Sequence, residues 1–387
     1  MKKELQSYDY AVLGGGAAGL SLICQLAHQK GLSNGKRLLL VDPEIKTGHD
    51  HTWSLWEREP GPFDHLVYHR WDKLGVHDDR YSMDLPLQDY QYKLIRSTEF
   101  YDYCNRLIAE HPAIDRLQAR ATNIQATDNK VVFEVAGKPF RADWAFSSLA
   151  DRLDFRRLKR PYLDQHFRGW FVRTADPIFD PELATIMDFR LPQGTETRFF
   201  YVLPFTENYA LVEIAVFSND IWSRERYDLA MSDYLDKYWT KGGDYKIEHT
   251  EQGIIPMTTH PFPQQEGRLV YIGIAGGHAR ASTGYTFFNI QRQTKELARQ
   301  LTTTGRLSKV SAAWPLRHRM YDTTLLRILQ DQRLPGSQVF TNLFRHNPTE
   351  RLLAFLNGES NFGQELRLMS STRISTFAPT FFQEMLR

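Results

Sequence analysis

The beginning of the chain combines a strand, a glycine-rich turn and a helix in the order typical of dinucleotide-binding folds. An apolar run at 8–13 leads into the segment 14–19, which reads Gly-Gly-Gly-Ala-Ala-Gly, and an amphipathic segment at 20–26 follows. About twenty residues later a second apolar run, 38–41, ends in Asp42. The pattern predicts a strand–helix–strand unit whose helix N-terminus offers free N–H groups and a positive dipole to phosphates.

Each position of this turn has a separate physical role. The first glycine permits a tight turn, the second leaves bare backbone where a pyrophosphate approaches, and the last allows close packing of helix and strand. The acidic side chain at the end of the second strand is placed to accept a hydrogen bond from a ribose hydroxyl group. The residues predicted to contact the nucleotide here are Gly14, Gly16, Ala17, Ala18, Gly19 and Asp42.

Composition places the chain among ordinary globular proteins of about two domains. Of its 387 residues 42% are hydrophobic and 24% charged, and the formal net charge of +2 gives no indication of a nucleic-acid partner. Cys24 and Cys104 lie far apart in the sequence, which argues against a disulfide framework or a zinc site and favours a reducing compartment. The histidines lack the spacing of a metal site, and no apolar run is long enough to predict a membrane-spanning helix.

Beyond residue 60 the hydrophobic periodicity separates further helices from strands. Residues 97–111 have helical spacing, with Ser97 as the expected N-terminal cap. Alternation predicts a β-hairpin whose strands are 198–204 and 209–216. Further strands are expected at 131–135, 144–148 and 169–174, and helices at 224–240 and from 306 to the end.

A second glycine-rich segment, 273–285, lies far from the first. A predicted strand at 268–275 leads into it and a predicted helix at 286–301 follows. Flavoproteins of the hydroxylase type wrap the flavin with such a segment, and the helix N-terminus faces the atoms where negative charge gathers on reduction. Those proteins usually have Asp at the position of Ile274. The two segments together indicate FAD, with Gly273, Gly276, Gly277, Thr283, Gly284 and Tyr285 as further cofactor-binding residues.

Seven segments resemble, in the same order, the signatures of the bacterial lycopene β-cyclase family, whose members also lack that Asp. The resemblance extends from residue 8 to about residue 300. Ile214 stands where the family often has a second acid, and the part after 306 shows only general similarity. The seven segments are DHTWSLW (50–56), YKLIRSTEF (92–100), QHFRGW (165–170), YVLP (201–204), LVE (211–213), EQGIIPM (251–257) and STGY (282–285).

The resemblance implies an isomerase that uses reduced FAD without net electron transfer. Its substrates would be lycopene and γ-carotene: an acid protonates the ψ end group, the ring closes to a tertiary carbocation, and loss of a proton completes a β-ionone ring. Reduced FAD would stabilise that cation, and NAD(P)H would be the reductant. Because lycopene resides in the bilayer, a cytoplasmic protein is expected, held peripherally on the inner face of the cell membrane through its helical C-terminus.

Within that resemblance, Glu213 is the predicted general acid. It lies between apolar residues on the second strand of the predicted hairpin, where removal from water favours the neutral carboxyl group. Glu251 is the second candidate, either as an acid–base group or as a stabiliser of the cation. Thr52 and Trp53 are expected to contact the flavin or the substrate, and the π face of Trp53 or Trp56 is suited to face a carbocation.

The expected fold is α/β (α+β), with a Rossmann-like FAD-binding domain of the hydroxylase type, an inserted antiparallel β-sheet substrate domain and a helical C-terminal part. Three alternative functions stay open: a FAD-dependent monooxygenase, a geranylgeranyl-reductase-like enzyme that saturates double bonds, and a non-catalytic carotenoid-binding protein. The FAD-binding domain is expected at 1–60, 93–160 and 250–305, the substrate domain at 61–92 and 161–249, and the helical region at 306–387.

Overall fold

The computed structural model describes residues 5–33, 35–150, 160–308, 310 and 312–386. Its strands are β1 (Gln6–Leu13), β2 (Leu38–Asp42), β3 (Thr52–Glu57), β4 (His69–Trp71), β5 (Lys73–His77), β6 (Ser82–Pro86), β7 (Gln91–Arg96), β8 (Ile114–Gln118), β9 (Ala121–Ala126), β10 (Val131–Val135), β11 (Lys138–Ser147), β12 (Tyr162–Thr174), β13 (Leu183–Asp188), β14 (Thr197–Thr206), β15 (Tyr209–Ser218), β16 (Tyr245–Thr258), β17 (Gln265–Glu266) and β18 (Leu269–Tyr271). Its α-helices are α1 (Ala17–His28), α2 (Ser97–Glu110), α3 (Arg224–Leu235), α4 (Phe287–Thr304), α5 (Leu316–Gln330), α6 (Gly336–His346), α7 (Thr349–Leu356), α8 (Phe362–Ser370) and α9 (Ile374–Met385).

The N-terminal strand–helix–strand unit forms the centre of the first sheet, whose main path is β17–β18–β11–β1–β2–β8. Strand β1 pairs in parallel with β2 and with β11. Tyr10 and Val12 pack in the same core cluster as residues of α1 and α4, whereas Ala11 and Leu13 pack in a separate cluster. Since successive side chains point to opposite faces, both faces of the strand are buried, which explains its continuous apolar sequence.

The second sheet is mainly antiparallel and has the order β16–β12–β15–β14–β13–β5–β6. The hairpin predicted from the sequence is present as β14 and β15. On β15, Leu211 and Ala215 face a core shared with the C-terminal helices, whereas Val212 and Ile214 pack in the cluster that contains α3 residues. Because the side chains alternate, Glu213 lies on the same face as Leu211 and Ala215.

Helices α5 to α9 follow the second sheet in the chain and share its core. Leu326, Ile328 and Leu353 are buried in the same cluster as side chains of β14 and β15. A small third sheet, β3–β7–β4, is tied to α7, because Trp56 donates a hydrogen bond from Nε1 to the carbonyl oxygen of Leu353 at 3.2 Å. The prediction of an α/β fold with an antiparallel sheet and a helical C-terminal part is confirmed.

Ser97 does not have the predicted role of helix cap. It is the first residue of α2, and Arg96 precedes the helix without a side-chain capping bond. Instead, the Ser97 hydroxyl oxygen accepts hydrogen bonds from the backbone N–H groups of Asp50 and His51 and donates to the carbonyl of Gly48. The serine therefore fixes the loop that leads into β3.

Other expected limits also differ from the structure. The strand predicted at 268–275 ends early, because β18 stops at Tyr271 and a 3₁₀ turn follows at Gly273–Gly276. The expected domain boundaries at 93 and 250 fall inside β7 and β16. Residues 151–159, beside the expected boundary at 160, lie outside the described residues.

The two cysteines, far apart in the sequence, lie side by side in the fold. Cys24 of α1 and Cys104 of α2 are both free and buried, and their sulfur atoms are 3.3 Å apart. They pack within the core of the first sheet. The reducing compartment inferred from them stays a prediction.

Candidate active site

A cavity of about 370 Å³ is lined by residues from both glycine-rich segments, from β3 and from the second sheet. Residues separated by more than 200 positions in the sequence therefore meet around one space. Of the residues predicted from the sequence, those that line the cavity are Gly16, Ala17, Ala18, Thr52, Trp53, Glu213, Gly273, Thr283, Gly284 and Tyr285. Those that lie outside its lining are Gly14, Gly19, Asp42, Glu251, Gly276 and Gly277.

The first glycine-rich turn has the geometry that a bound pyrophosphate needs. Gly14 has φ +109°, and a Cβ atom on Gly19 would lie 2.0 Å from the Gly14 carbonyl oxygen, so the fold itself requires both glycines. Around Gly16, by contrast, the position of a Cβ atom has no neighbour within 4 Å. Gly16 precedes α1 without a side-chain capping bond, which leaves the first N–H groups of that helix for an anion.

Asp42 contacts the turn rather than the cavity. Its Oδ2 accepts a hydrogen bond from the Gly15 N–H at 2.6 Å, and its Oδ1 accepts one from the Glu44 N–H at 2.8 Å. Each carboxylate oxygen can accept a further hydrogen bond, so the predicted contact with a ribose hydroxyl group stays a prediction. Asp42 thus stabilises the turn that presents Gly16.

The second glycine-rich segment meets the first directly, but only part of it lines the cavity. A Cβ atom on Gly273 would lie 2.8 Å from the Cβ of Ala18, which places the two segments in contact. Gly276 and Gly277 line a small separate cavity of about 70 Å³ beside Phe262, and their contact with the cofactor stays a prediction. Their role in the structure is to allow the close turns between β18 and α4.

Gly169 brings Glu213 and Glu251 together. In the second sheet Gly169 of β12 pairs with Glu213 on β15 and with Glu251 on β16, so the two carboxyl side chains stand on the same face on either side of a glycine. A Cβ atom at Gly169 would lie 3.2 Å from Glu213 Oε2 and 3.2 Å from Glu251 Cγ. The missing side chain thus leaves the space in which the two acids meet.

The two carboxyl groups have different electrostatic environments. Burial raises the pKa of Glu213 well above the ordinary carboxyl value, and the charge of the neighbouring Glu251 raises it further. Burial also raises the pKa of Glu251, to about 7, but a hydrogen bond from the Thr52 hydroxyl group to Glu251 Oε1 opposes that rise. The pair therefore holds a proton at neutral pH, and the hydrogen bond from Thr52 favours the negative charge on Glu251.

Only Glu213 of the pair reaches the cavity. Glu213 is part of the cavity lining. Glu251 is 5% exposed, lies outside that lining and contacts Thr52 and Glu213. Glu251 Oε2 is buried and has no hydrogen-bond partner among the described residues. In this arrangement a proton on Glu213 faces the cavity, and Glu251 adds to the rise in pKa that burial causes.

Aromatic rings line the cavity near Glu213. Tyr201 is the direct cross-strand neighbour of Glu213, and the hydroxyl groups of Tyr92 and Tyr285 are hydrogen-bonded at 2.8 Å. Trp53 stacks on Phe287 with ring centroids 5.2 Å apart and also lines the cavity. Aromatic faces attract a cation, so this wall is suited to a positively charged intermediate.

Sequence reasoning missed several of these residues, although each lies in or beside a segment that carries the family resemblance. Gly169 has no chemistry of its own, and its importance follows only from the register of three strands. Tyr201 could have been found, because alternation on β14 places it opposite Glu213. The cavity-lining residues not singled out as site residues include Tyr92, Gln165, Phe167, Tyr201 and Leu203.

We expect Gly169→Ala to lower the catalytic rate by about 10- to 100-fold, because the new methyl group would separate Glu213 from Glu251 and small misplacements of reacting groups are costly. The rate is measured for the reaction that the sequence resemblance implies, ring formation on lycopene, with purified protein whose flavin content and melting temperature show that it is folded. Gly194→Ala, at an exposed glycine with open surroundings, is the matched control. An unchanged rate in Gly169→Ala would mean that the carboxyl pair is not the reacting centre.

With this geometry established, sequence comparison identifies the family. The family model described as lycopene cyclase protein matches residues 9–381, nearly the whole chain. The chain belongs to the lycopene cyclase family. No curated protein matches it in sequence. The match extends to residue 381 and so includes the C-terminal helices α5 to α8 and most of α9, for which the seven segments gave only general similarity.

Solved structures share the fold of this lycopene cyclase family chain. A geranylgeranyl bacteriochlorophyll reductase-like protein from Thermoplasma acidophilum has a TM-score of 0.64 at 14% identity and covers 99% of both chains. A flavin-dependent brominase has a TM-score of 0.61 at 14% identity over 94% of this chain and 98% of its own. An aklavinone-11 hydroxylase, solved with FAD and aklavinone, has a TM-score of 0.54 at 15% identity over 77% of this chain and 63% of its own. The predicted hydroxylase-type flavoprotein fold is confirmed.

Proposed function

We propose that the protein is a lycopene β-cyclase that forms β-ionone rings on the ψ end groups of lycopene and γ-carotene. The observation that carries the proposal is the Glu213–Glu251 pair, which keeps a proton at a cavity between the nucleotide-type turn and the second sheet. Membership of the lycopene cyclase family supports the substrate. The pair supports acid–base chemistry in place of electron transfer.

FAD is the cofactor that the residues fit. Gly16 and the N-terminus of α1 would hold the pyrophosphate, and Gly273, Thr283 and Gly284 would lie along the remainder of the cofactor. When bound in its reduced form, FAD supplies negative charge close to the positive charge that develops on the substrate. NAD(P)H is proposed as the source of electrons for that reduction.

Glu213 would perform both proton transfers. Its carboxyl group donates a proton to the terminal double bond of the end group, and a carbon–carbon bond then closes the ring and leaves a tertiary carbocation. The Glu213 carboxylate takes a proton from the adjacent ring carbon, which forms the β double bond and restores the acid. One proton enters and one leaves for each ring, so no electrons are gained or lost. Tyr201 and Tyr92 line the space in which the cation forms.

The pair argues against two of the alternatives. A monooxygenase transfers electrons to oxygen and has no need of a protonated carboxyl group held beside the ligand. A carotenoid carrier has no reason to keep two buried carboxyl groups in contact, since burial without compensation destabilises a folded protein. A reductase would need a proton and a hydride for each double bond that it saturates, so family membership and the consumption of NAD(P)H, and not the pair, distinguish it from a cyclase.

Cyclisation should require reduced flavin without consuming NAD(P)H in proportion to product. Purified protein is given lycopene and a limiting amount of NAD(P)H under nitrogen, and rings formed are compared with NAD(P)H oxidised. We expect many rings to form for each equivalent of NAD(P)H oxidised, because an isomerisation does not consume reduced FAD. One equivalent oxidised for each ring, or a requirement for oxygen, would instead support the reductase or the monooxygenase.

Peripheral membrane contact is proposed at the C-terminal helices. Large apolar side chains are exposed on α8 and α9, among them Leu366, Phe382 and Met385. No helix among the described residues is long and apolar enough to cross a bilayer. Apolar side chains on short surface helices favour binding in the plane of the membrane interface, and we place this contact on the cytoplasmic face of the cell membrane.

A further inference from the structure

A second cavity, larger than the first, lies among helices α5 to α9. Its volume is about 490 Å³, and its lining is almost wholly apolar. Residues from each of these five helices and Met187 of β13 contribute to it. Cavities of this size commonly hold one organic ligand, and an apolar cavity binds apolar molecules in preference to water.

The charged residue in this lining is already paired. Asp322 lines the cavity, but its Oδ2 lies 3.0 Å from Nε of the buried Arg280, so its charge is compensated within the protein. The guanidinium group of Arg280 also lies over the Trp314 ring at 4.2 Å. The cavity walls therefore present apolar surface and no unpaired charge to a ligand. Such a lining suits an unsubstituted hydrocarbon.

The loop that binds the cofactor also forms a wall of this second cavity. Thr283 lines both cavities, and Ser282 lines the second. Two residues further along the loop, Tyr285 packs against Trp56 with ring centroids 4.5 Å apart. The cavity at Glu213 and the helical cavity are thus neighbours that share one side chain.

We propose that the helical cavity binds the polyene arm of the substrate while its end group reacts at Glu213. This inference rests on the proposed function. A cavity of about 370 Å³ is in the range that holds a single drug-sized ligand, so it has no room for a flavin and a complete tetraterpene. The remaining hydrocarbon must lie elsewhere, and the neighbouring apolar cavity is the space that the structure provides.

The outer end of this cavity explains how a long substrate is accommodated. Phe362, Leu366, Ile374 and Phe382 line the cavity and are also between 52% and 60% exposed. The same side chains therefore contact both the cavity and the surroundings of the protein. A polyene lying in the cavity can leave through this apolar rim, so its unreacted end need not fit inside the protein.

The test introduces tryptophan into the cavity at either of two positions on different helices. Ala378 on α9 and Leu356 on α7 are half-buried lining residues, and tryptophan at either position would occupy the cavity. Ala109→Trp, on the exposed side of α2, is the matched control. Binding of lycopene from detergent micelles is measured by quenching of tryptophan fluorescence, with flavin content and melting temperature as checks on folding.

We expect Ala378→Trp and Leu356→Trp to weaken lycopene binding by about tenfold or more relative to Ala109→Trp. Equal binding within about twofold in all three folded variants would overturn the inference. If the two cavity variants bind lycopene more weakly but the wild-type protein forms no rings, the helical cavity is the polyene site and the proposed cyclase activity is wrong. If all three variants bind lycopene equally and form rings normally, the cyclase activity stands and the helical cavity is not the polyene site.

Discussion

Replacing Glu213 by glutamine is expected to lower ring formation by about 100-fold or more, the scale of a lost general acid. Glutamine keeps the shape and the hydrogen-bonding capacity of the side chain but carries no transferable proton. The protein should still fold and hold flavin, since glutamine fills the same space in the second sheet. The measurement is pigment chromatography after expression in a lycopene-accumulating bacterium, followed by rates with purified protein.

Two further variants make this result specific to the proton. Glu213→Asp keeps the acid but withdraws it by one methylene group, so it should retain part of the activity. Glu248→Gln removes a carboxyl group from β16 that pairs with Arg173 outside the cavity, and it should cyclise normally. Near wild-type activity in Glu213→Gln would mean that the proton comes from another group, and Glu251 would then be tested first.

Gly16→Val is expected to abolish flavin retention while leaving the polypeptide folded. The Cβ position at Gly16 has no protein atom within 4 Å, so valine fits the empty turn but occupies the path of the pyrophosphate. Flavin per chain is measured from the visible absorption of purified protein, and folding from the melting curve. Gly194→Val is the control, at an exposed glycine where the nearest atoms would lie at ordinary contact distances of 3.8 and 3.9 Å from a Cβ atom.

Stoichiometric FAD in a folded Gly16→Val protein would contradict the placement of the pyrophosphate. Loss of flavin in Gly194→Val as well would show that the effect is not local to the turn. Gly14 and Gly19 are poorer choices for this experiment, because a Cβ atom would lie 2.2 Å from Ser148 Oγ at Gly14 and 2.0 Å from the Gly14 carbonyl oxygen at Gly19. Their substitution would report on folding rather than on the cofactor.

The sequence predicts those parts of the site that depend on local pattern. Alternation on β15 places Glu213 among apolar neighbours, and the spacing of glycines predicts the turn before α1. Residues that act through distant partners are harder to predict. Gly169 matters because β15 and β16 both pair with β12, and strand register between distant segments is not encoded in any one of them.

Contacts within the protein around the predicted cofactor residues have the same origin. The carboxylate of Asp42 binds the amides of Gly15 and Glu44, which the sequence motif does not reveal, and its contact with a ribose stays a prediction. Gly276 and Gly277 match the glycine spacing of a flavin segment and lie beyond the early end of β18, beside a separate small cavity, so their contact with the cofactor also stays a prediction. The helical cavity could not be predicted, because five separate helices enclose it.

The most direct test of the central claim is the mass of the carotenoid formed in D₂O. Purified protein with reduced flavin converts lycopene in D₂O. The mass of the product is measured by high-resolution mass spectrometry and compared with that of the product made in H₂O. The proton that Glu213 takes from one ring exchanges with solvent before the next ring closes, so we predict a product isomeric with lycopene in H₂O and about one deuterium for each ring in D₂O, on the carbon that accepts the proton from Glu213. A product heavier by two hydrogens or by oxygen in H₂O, or rings without deuterium, would contradict the account.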